Sequence, residues 1–229
     1  MAKILSIETA TSVCSVAIHS CGELISLADV SEQGAHAQKL MPLIDQILME
    51  SGMDYSELDA IAVSEGPGSY TGLRIGVSTA KGLAYGLDKP LIGVNTLKAL
   101  ASAVLAEEGE VVLPIMDARR MEIYYEAFDS SLNSLIPLDS EVLNEESFKN
   151  FLESGRVYFL GDALEKLKTV IHHPNAGFLD SIGFSASHLG GLAYSKWLKN
   201  EMEDLAYFVP NYLKEFKALH SKKNPLLNL

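Results

Sequence analysis

An apolar stretch, Asp59–Ser64, runs into Gly66-Pro67-Gly68-Ser69-Tyr70-Thr71-Gly72-Leu73-Arg74-Ile75-Gly76 and then into a helical pattern over Thr71–Tyr85. A buried strand that turns into a helix through glycines reads as half of a β–α–β unit, so a parallel sheet covered by helices is expected. The flanking sequence agrees. Lys3–Glu8, Val13–His19 and Glu23–Val30 alternate as three strands around a turn at Ser20–Gly22, and Pro90–Val94 is a further strand. Helical periodicity marks Ala35–Met49, with Leu40, Leu43, Ile44 and Ile47 on one stripe, and Thr96–Glu107. After Glu107–Glu110 the pattern restarts. Val111–Ile115 and Met121–Phe128 read as strands, Leu135–Leu138 and Val157–Leu160 as weaker ones, and Glu145–Glu153 and Ala186–Asn200 as helices. No linker separates the halves. Two abutting α/β lobes with mixed sheets, 1–108 and 109–229, are expected, the last helix packing back on the first lobe. Lys222–Leu229 reads as a frayed tail.

Charge narrows the function. Eighteen Lys+Arg stand against 30 Asp+Glu, a net −12, and a field of that sign repels polyanions. No apolar run approaches the roughly 18–20 residues of a membrane span. Ile4–Ile7 meets Glu8 too soon for a secretory leader. Cys14 and Cys21 fall on one hairpin out of disulfide reach, so free thiols in a reducing cytoplasm are expected. The histidines (19, 36, 172, 173, 188 and 220) include no i, i+4 pair, and no G-x-S-x-G elbow occurs. No metal site is expected.

Several motifs carry chemistry with a plainer reading beside it. Gly66, Gly68, Ser69 and Thr71 place backbone N–H groups at a helix start, where phosphate binds, and Ser69 or Thr71 is suited to cap that helix. Without a Lys-Ser/Thr ending the run is not a Walker A loop, and it also reads as a tight turn. Thr9, Thr11 and Ser12 follow Glu8 between two strands, where sugar kinases and actin-like ATPases hold metal and phosphate, but Ala10 stands in place of a glycine. Gly72, Gly76, Ala80 and Ala84 recur every four residues, a face that admits either internal packing or a partner's helix. Ala37, Met41, Ile44 and Leu48 form a second apolar line on a helix interrupted by Pro42 and favour the partner reading. Arg119 and Arg120 fit an anion clamp, or an ion-paired turn neutralised by Asp117 and Glu122. Gly190-Gly191 hints at an adenosine-binding turn.

Taken together, Ile7-Glu8-Thr9-Ala10-Thr11, Cys14-Ser15-Val16-Ala17, the His36…Leu40-Met41-Pro42-Leu43-Ile44 helix, Gly66–Gly76, Met116-Asp117-Ala118-Arg119-Arg120 and Pro210-Asn211-Tyr212-Leu213 resemble the bacterial TsaB (YeaZ) family. Glu8 stands where Asp is usual, Tyr70 where Phe is usual and Lys214 where Arg is usual. The resemblance implies an actin-like, sugar-kinase/heat-shock-type fold and a cytoplasmic accessory subunit in making N6-threonylcarbamoyladenosine in tRNAs that read codons starting with A. It implies binding to a metal-bearing TsaD-type catalytic subunit, a ternary complex with a TsaE-type ATPase, and a TsaC-type enzyme that makes the intermediate. It further implies a homodimer in isolation, little direct tRNA contact, and no intrinsic cofactor, with ATP or ADP only at the complex interface. The expectation is a non-catalytic scaffold whose Gly76→Leu variant folds but loses its partner. The alternatives are a nucleotide-binding ATPase using Thr9, Thr11, Ser12 and Gly66–Thr71, and a glycoprotease-type peptidase.

Overall fold

The computed structural model describes residues 1–32, 34 and 36–213. The first sheet holds β1 (Lys3–Glu8), β2 (Val13–Ser20), β3 (Glu23–Ser31), β4 (Ala60–Gly66) and β5 (Leu91–Asn95), in the order β3-β2-β1-β4-β5. The opening strands pair antiparallel, whereas β1, β4 and β5 run parallel. Side-chain alternation divides β1 between two layers. Leu5 and Ile7 face α1 (His36–Glu50) and α2 (Tyr70–Leu87), meeting Leu40, Leu43, Ile44, Ile47, Val77, Ala80 and Ala84. Ile4 faces the other side, with Ala60, Ala62, Ile92 and Val94.

The second sheet, ordered β10-β9-β6-β7-β8, comprises β6 (Val111–Asp117), β7 (Glu122–Phe128), β8 (Ser134–Val142), β9 (Val157–Gly161) and β10 (Ala176–Phe178). α4 (Lys149–Ser154) and α5 (Leu164–Lys168) cover one face through Phe148, Leu152, Leu164 and Leu167. The opposite face presents Val112, Met116, Phe128 and Leu160 to Leu97 and Leu100 of α3 (Thr96–Ala101) and to Ala10 and Leu73 of the first lobe. One apolar cluster therefore fills the space between the sheets. Finally α6 (Gly190–Leu198) returns to the first sheet, where Leu189 and Ala193 pack on Ile4 and Ile92. The following segment stays there: Glu203 N–H donates to Leu91 O, Asn211 N–H to Glu65 O, and Lys81 Nζ to the carbonyls of Ala206 and Phe208.

Three expected helices are shorter than their periodicity suggests. α3 stops at Ala101, because the Ser102 hydroxyl takes the carbonyls of Ala99 and His188. Glu145–Glu153 yields only Lys149–Ser154, since Phe148 adopts φ 61° and drops its ring between Tyr125 and Phe159. Ala186–Asn200 splits into a 3-10 turn at Ala186–His188 and α6. α5 and β10 were not expected. α1 runs on through Pro42, an exposed position where water can take the bond the ring does not make. Cys14 and Cys21 are free thiols. Among the described residues no helix is long and apolar enough to cross a membrane. Ala35, Lys214, His220 and Lys222–Leu229 lie outside the described residues.

Candidate functional site

Two loops meet where the parallel strands of the first sheet end. Glu8, the last residue of β1, is fully buried and accepts from Ala10 N–H at 2.6 Å and from the Ser64 hydroxyl at 3.0 Å. Burial pushes its carboxyl up to about 7, and the hydrogen bonds from Ala10, Ser64 and Thr9 offset only part of that rise. This acid ties a hairpin together and does not face a ligand. The glycine-rich loop then presses on that hairpin. Ser69 N–H donates to Ala10 O at 2.6 Å, and a Cβ on Gly68 would sit 2.6 Å from the Ala10 methyl. A Cβ on Gly72 would strike Thr9 O, and one on Gly76 would strike Thr9 Oγ1. Thr9 is fully buried, and its hydroxyl has no hydrogen-bond partner among the described residues.

The phosphate-loop expectation is corrected by this packing. Gly68 and Ser69 do reach the hairpin, but they press directly on Ala10, while Thr71 lies on the α1–α2 groove. The Ser69 side chain caps α2 by accepting from Gly72 N–H at 3.2 Å, so the helix start serves its own chain. Thr11 is half-buried, Ser12 and Thr71 are exposed, and a Cβ on Gly66 would meet Asn211 O at 2.5 Å. The nucleotide and metal that the fold class implies therefore do not fit here. The carboxylate is enclosed, the glycine position is Ala10, and the gap between the sheets is hydrocarbon.

The partner-face expectation is corrected in part. Gly72, Gly76, Ala80 and Ala84 are buried, facing Thr9 and the first sheet. The small residues let α2 approach its own hairpin and leave nothing for another molecule. Ile44 and Leu48 also belong to the core, because their line runs along the border of the buried stripe of α1. Ala37 and Met41 remain outside, Met41 being 41% exposed. What α1 and α2 do present is a groove of about 510 Å³ lined by Ala37, Tyr70, Thr71, Arg74, Ile75, Ser78 and Thr79. Met49 and Tyr85 also stand in solvent on these helices, at 76% and 82% exposure. The groove side of α2 was legible in principle, since Thr71, Arg74/Ile75 and Ser78 repeat at helical spacing opposite the glycines.

Arg119 and Arg120 form the β6–β7 turn, both with positive φ, and both are exposed. Asp117 does not neutralise them as one reading expected. It pairs with Lys166 at 2.5 Å and accepts from Arg119 N–H, which together hold its carboxyl below the usual range against the effect of partial burial. Neither guanidinium has a salt-bridge partner among the described residues, so the clamp geometry remains open. Gly190 lies against the ring of His19, and Gly191 borders a cavity of about 310 Å³ with Ser102, Leu132, Ser187, His188 and Leu192. The His19 ring bridges Ser6 Oγ (3.1 Å) and Ser187 O (3.2 Å), and Ser6 and His19 are both buried, so this Ser–His contact offers no surface to a peptide.

Comparison with known proteins gives one consistent result. A family model, "TsaD: tRNA N6-adenosine threonylcarbamoyltransferase", matches residues 31–221. The "tRNA threonylcarbamoyladenosine biosynthesis protein TsaB" of Bacillus subtilis (strain 168) is 32% identical over 230 residues, covering 96% of this chain and 99% of that protein. The protein of the same name from Haemophilus influenzae is 38% identical over 123 residues. There the match spans about half of each protein, 53% of this chain and 52% of the relative. Among solved structures, "YeaZ from Pseudomonas aeruginosa" superposes with a TM-score of 0.79 at 29% identity, covering 93% of this chain and 100% of that one. The two mixed sheets form the two-lobed α/β fold shared with that structure.

Proposed function

This chain belongs to the TsaB family of tRNA threonylcarbamoyladenosine biosynthesis proteins, and from that premise we propose that it is a non-catalytic scaffold that binds and activates a TsaD-type catalytic subunit. The observation that carries the reading is the outer face of α1 and α2. Their inner faces are consumed by the core, yet Ala37 and Ile75 border a groove between them, and Met41, Met49 and Tyr85 stand exposed elsewhere on the same two helices. Apolar surface grouped in this way marks an interface. The closed hairpin at Glu8–Ala10 speaks against an ATPase in this chain, and the enclosed Ser6–His19 contact speaks against a peptidase. The same helices serve a homodimer when the partner is absent, and a TsaE-type ATPase joins the assembled pair.

ATP or ADP belongs at the shared interface in this scheme, with Arg119 and Arg120 as the clamp for its phosphates. The net charge of −12 leaves the grip on tRNA to the partner. In that case the cytoplasm is the working compartment. The test is Met41→Asp, a substitution on exposed surface. It is expected to keep the wild-type circular dichroism and melting curve while weakening capture of the co-expressed TsaD-type subunit by about tenfold or more. Capture at wild-type strength overturns the interface.

A further inference from the structure

We propose that Arg74 is a prepositioned anion receptor, and that its ligand is a carboxylate side chain of the protein partner docking on α1 and α2. The inference rests on the scaffold reading above and adds to it the chemistry of the contact. Arg74 donates from Nη1 to Tyr70 Oη at 2.7 Å, one helical turn away, and its Cζ lies 4.9 Å from the centre of the Tyr70 ring. Tyr70 in turn packs on Tyr212, ring centres 5.0 Å apart, at the end of the segment that Lys81 and Glu65 hold against the first lobe. The guanidinium is thus ordered by an aromatic pair from two distant parts of the chain. Most of the side-chain freedom lost in forming an ion pair is already lost before a ligand arrives.

A guanidinium carries five N–H donors, and the Tyr70 hydroxyl accepts one of them. Acids outnumber bases 30 to 18 in this chain, yet no carboxylate among the described residues pairs with Arg74. It borders the α1–α2 groove beside the hydroxyl-bearing Thr71, Ser78 and Thr79, and no acid lines that groove. A planar fork with unused donors fits a carboxylate in two-point contact. The occupant is a protein carboxylate rather than a polyphosphate, because Arg74 is the one charged residue among those lining the groove, and a multiply charged anion calls for several cations. Ala37, Ile75 and Tyr70 also line the groove, and an arginine beside an aromatic ring and aliphatic side chains is the composition of a protein interface.

The experiment measures affinity for the TsaD-type subunit of the same organism at low and high salt, for wild type and for Arg74→Gln, Arg74→Lys and Met41→Asp. Arg74→Gln is expected to bind about tenfold more weakly and to lose the salt dependence of the wild type, with Arg74→Lys between the two. Wild-type affinity and salt dependence in Arg74→Gln, alongside lost binding in Met41→Asp, overturns the receptor and spares the scaffold reading. Unchanged binding in both variants overturns both. Should Arg74→Gln fail to melt cooperatively, an Arg74→Lys variant indistinguishable from wild type also overturns the receptor. Titration of Mg-ATP and of inorganic phosphate into the isolated chain separates the sources. Absence of binding heat supports a protein carboxylate, whereas heat that disappears in Arg74→Gln reassigns the site to phosphate and overturns the proposal.

Discussion

Glu8 ends β1, and its carboxylate is spent on Ala10 and Ser64. Enclosure pushes it up to about 7 from 4.5. The folded state therefore binds the proton more tightly than the unfolded chain, and stability falls as pH rises from about 4.5 to 7, then levels off. At about 1.4 kcal/mol per pH unit, the loss amounts to about 3 kcal/mol. Glu8→Gln keeps the accepting oxygen and removes the charge. Its stability relative to wild type is expected to rise by about 3 kcal/mol between pH 5 and pH 8 in urea unfolding. A constant difference across that range contradicts the assignment. Taking the difference isolates Glu8 from His19 and His188, whose burial lowers their affinity for protons and works in the opposite sense. The presence of Glu8 at the strand end was legible from sequence. Its role was not, because enclosure depends on Ser64, 56 residues away.

Helix α2 shows how one periodic face supports two opposite readings. Gly72, Gly76, Ala80 and Ala84 identify a face that admits close approach, but spacing alone does not name the neighbour. The neighbour is the β1–β2 hairpin, with Thr9 against Gly72 and Gly76. The consequence of a large side chain there is reversed from the sequence expectation: Gly76→Leu breaks the fold before it breaks any complex. Insertion of a leucine against the Thr9 hydroxyl is expected to cost more than about 3 kcal/mol, seen as a fall in thermal midpoint or as insoluble expression. A variant that melts like wild type would return the small-residue face to solvent. The surface left for a partner is the other side of the helix, from Tyr70 and Arg74 to Tyr85, continued by Ala37 and Met41 of α1.

Across the molecule, a single apolar cluster joins Ala10, Leu73, Leu97 and Leu100 to Val112, Met116, Phe128 and Leu160, and Asn95 donates across the same boundary to Glu126 at 2.9 Å. The two sheets share this packing, so they are expected to unfold together. Phe128→Ala, in the second sheet, is expected to cost about 3–5 kcal/mol. It should shift the fluorescence of Trp197, which packs on the first sheet, to the same midpoint as the far-ultraviolet circular dichroism. Two separated transitions would show independent lobes. The chain by itself determined the strands and helices of the first lobe, the loop at Gly66–Gly76, the stripe of α1 and the negative charge, because these follow from local periodicity, backbone freedom and composition. Only the tertiary structure decided which face of α2 is spent inside, that Gly68 and Ser69 press on Ala10, and that Tyr212 meets Tyr70 beside Arg74. Those outcomes turn on contacts between residues far apart in sequence, where a shift of one side chain exchanges a cavity for a core.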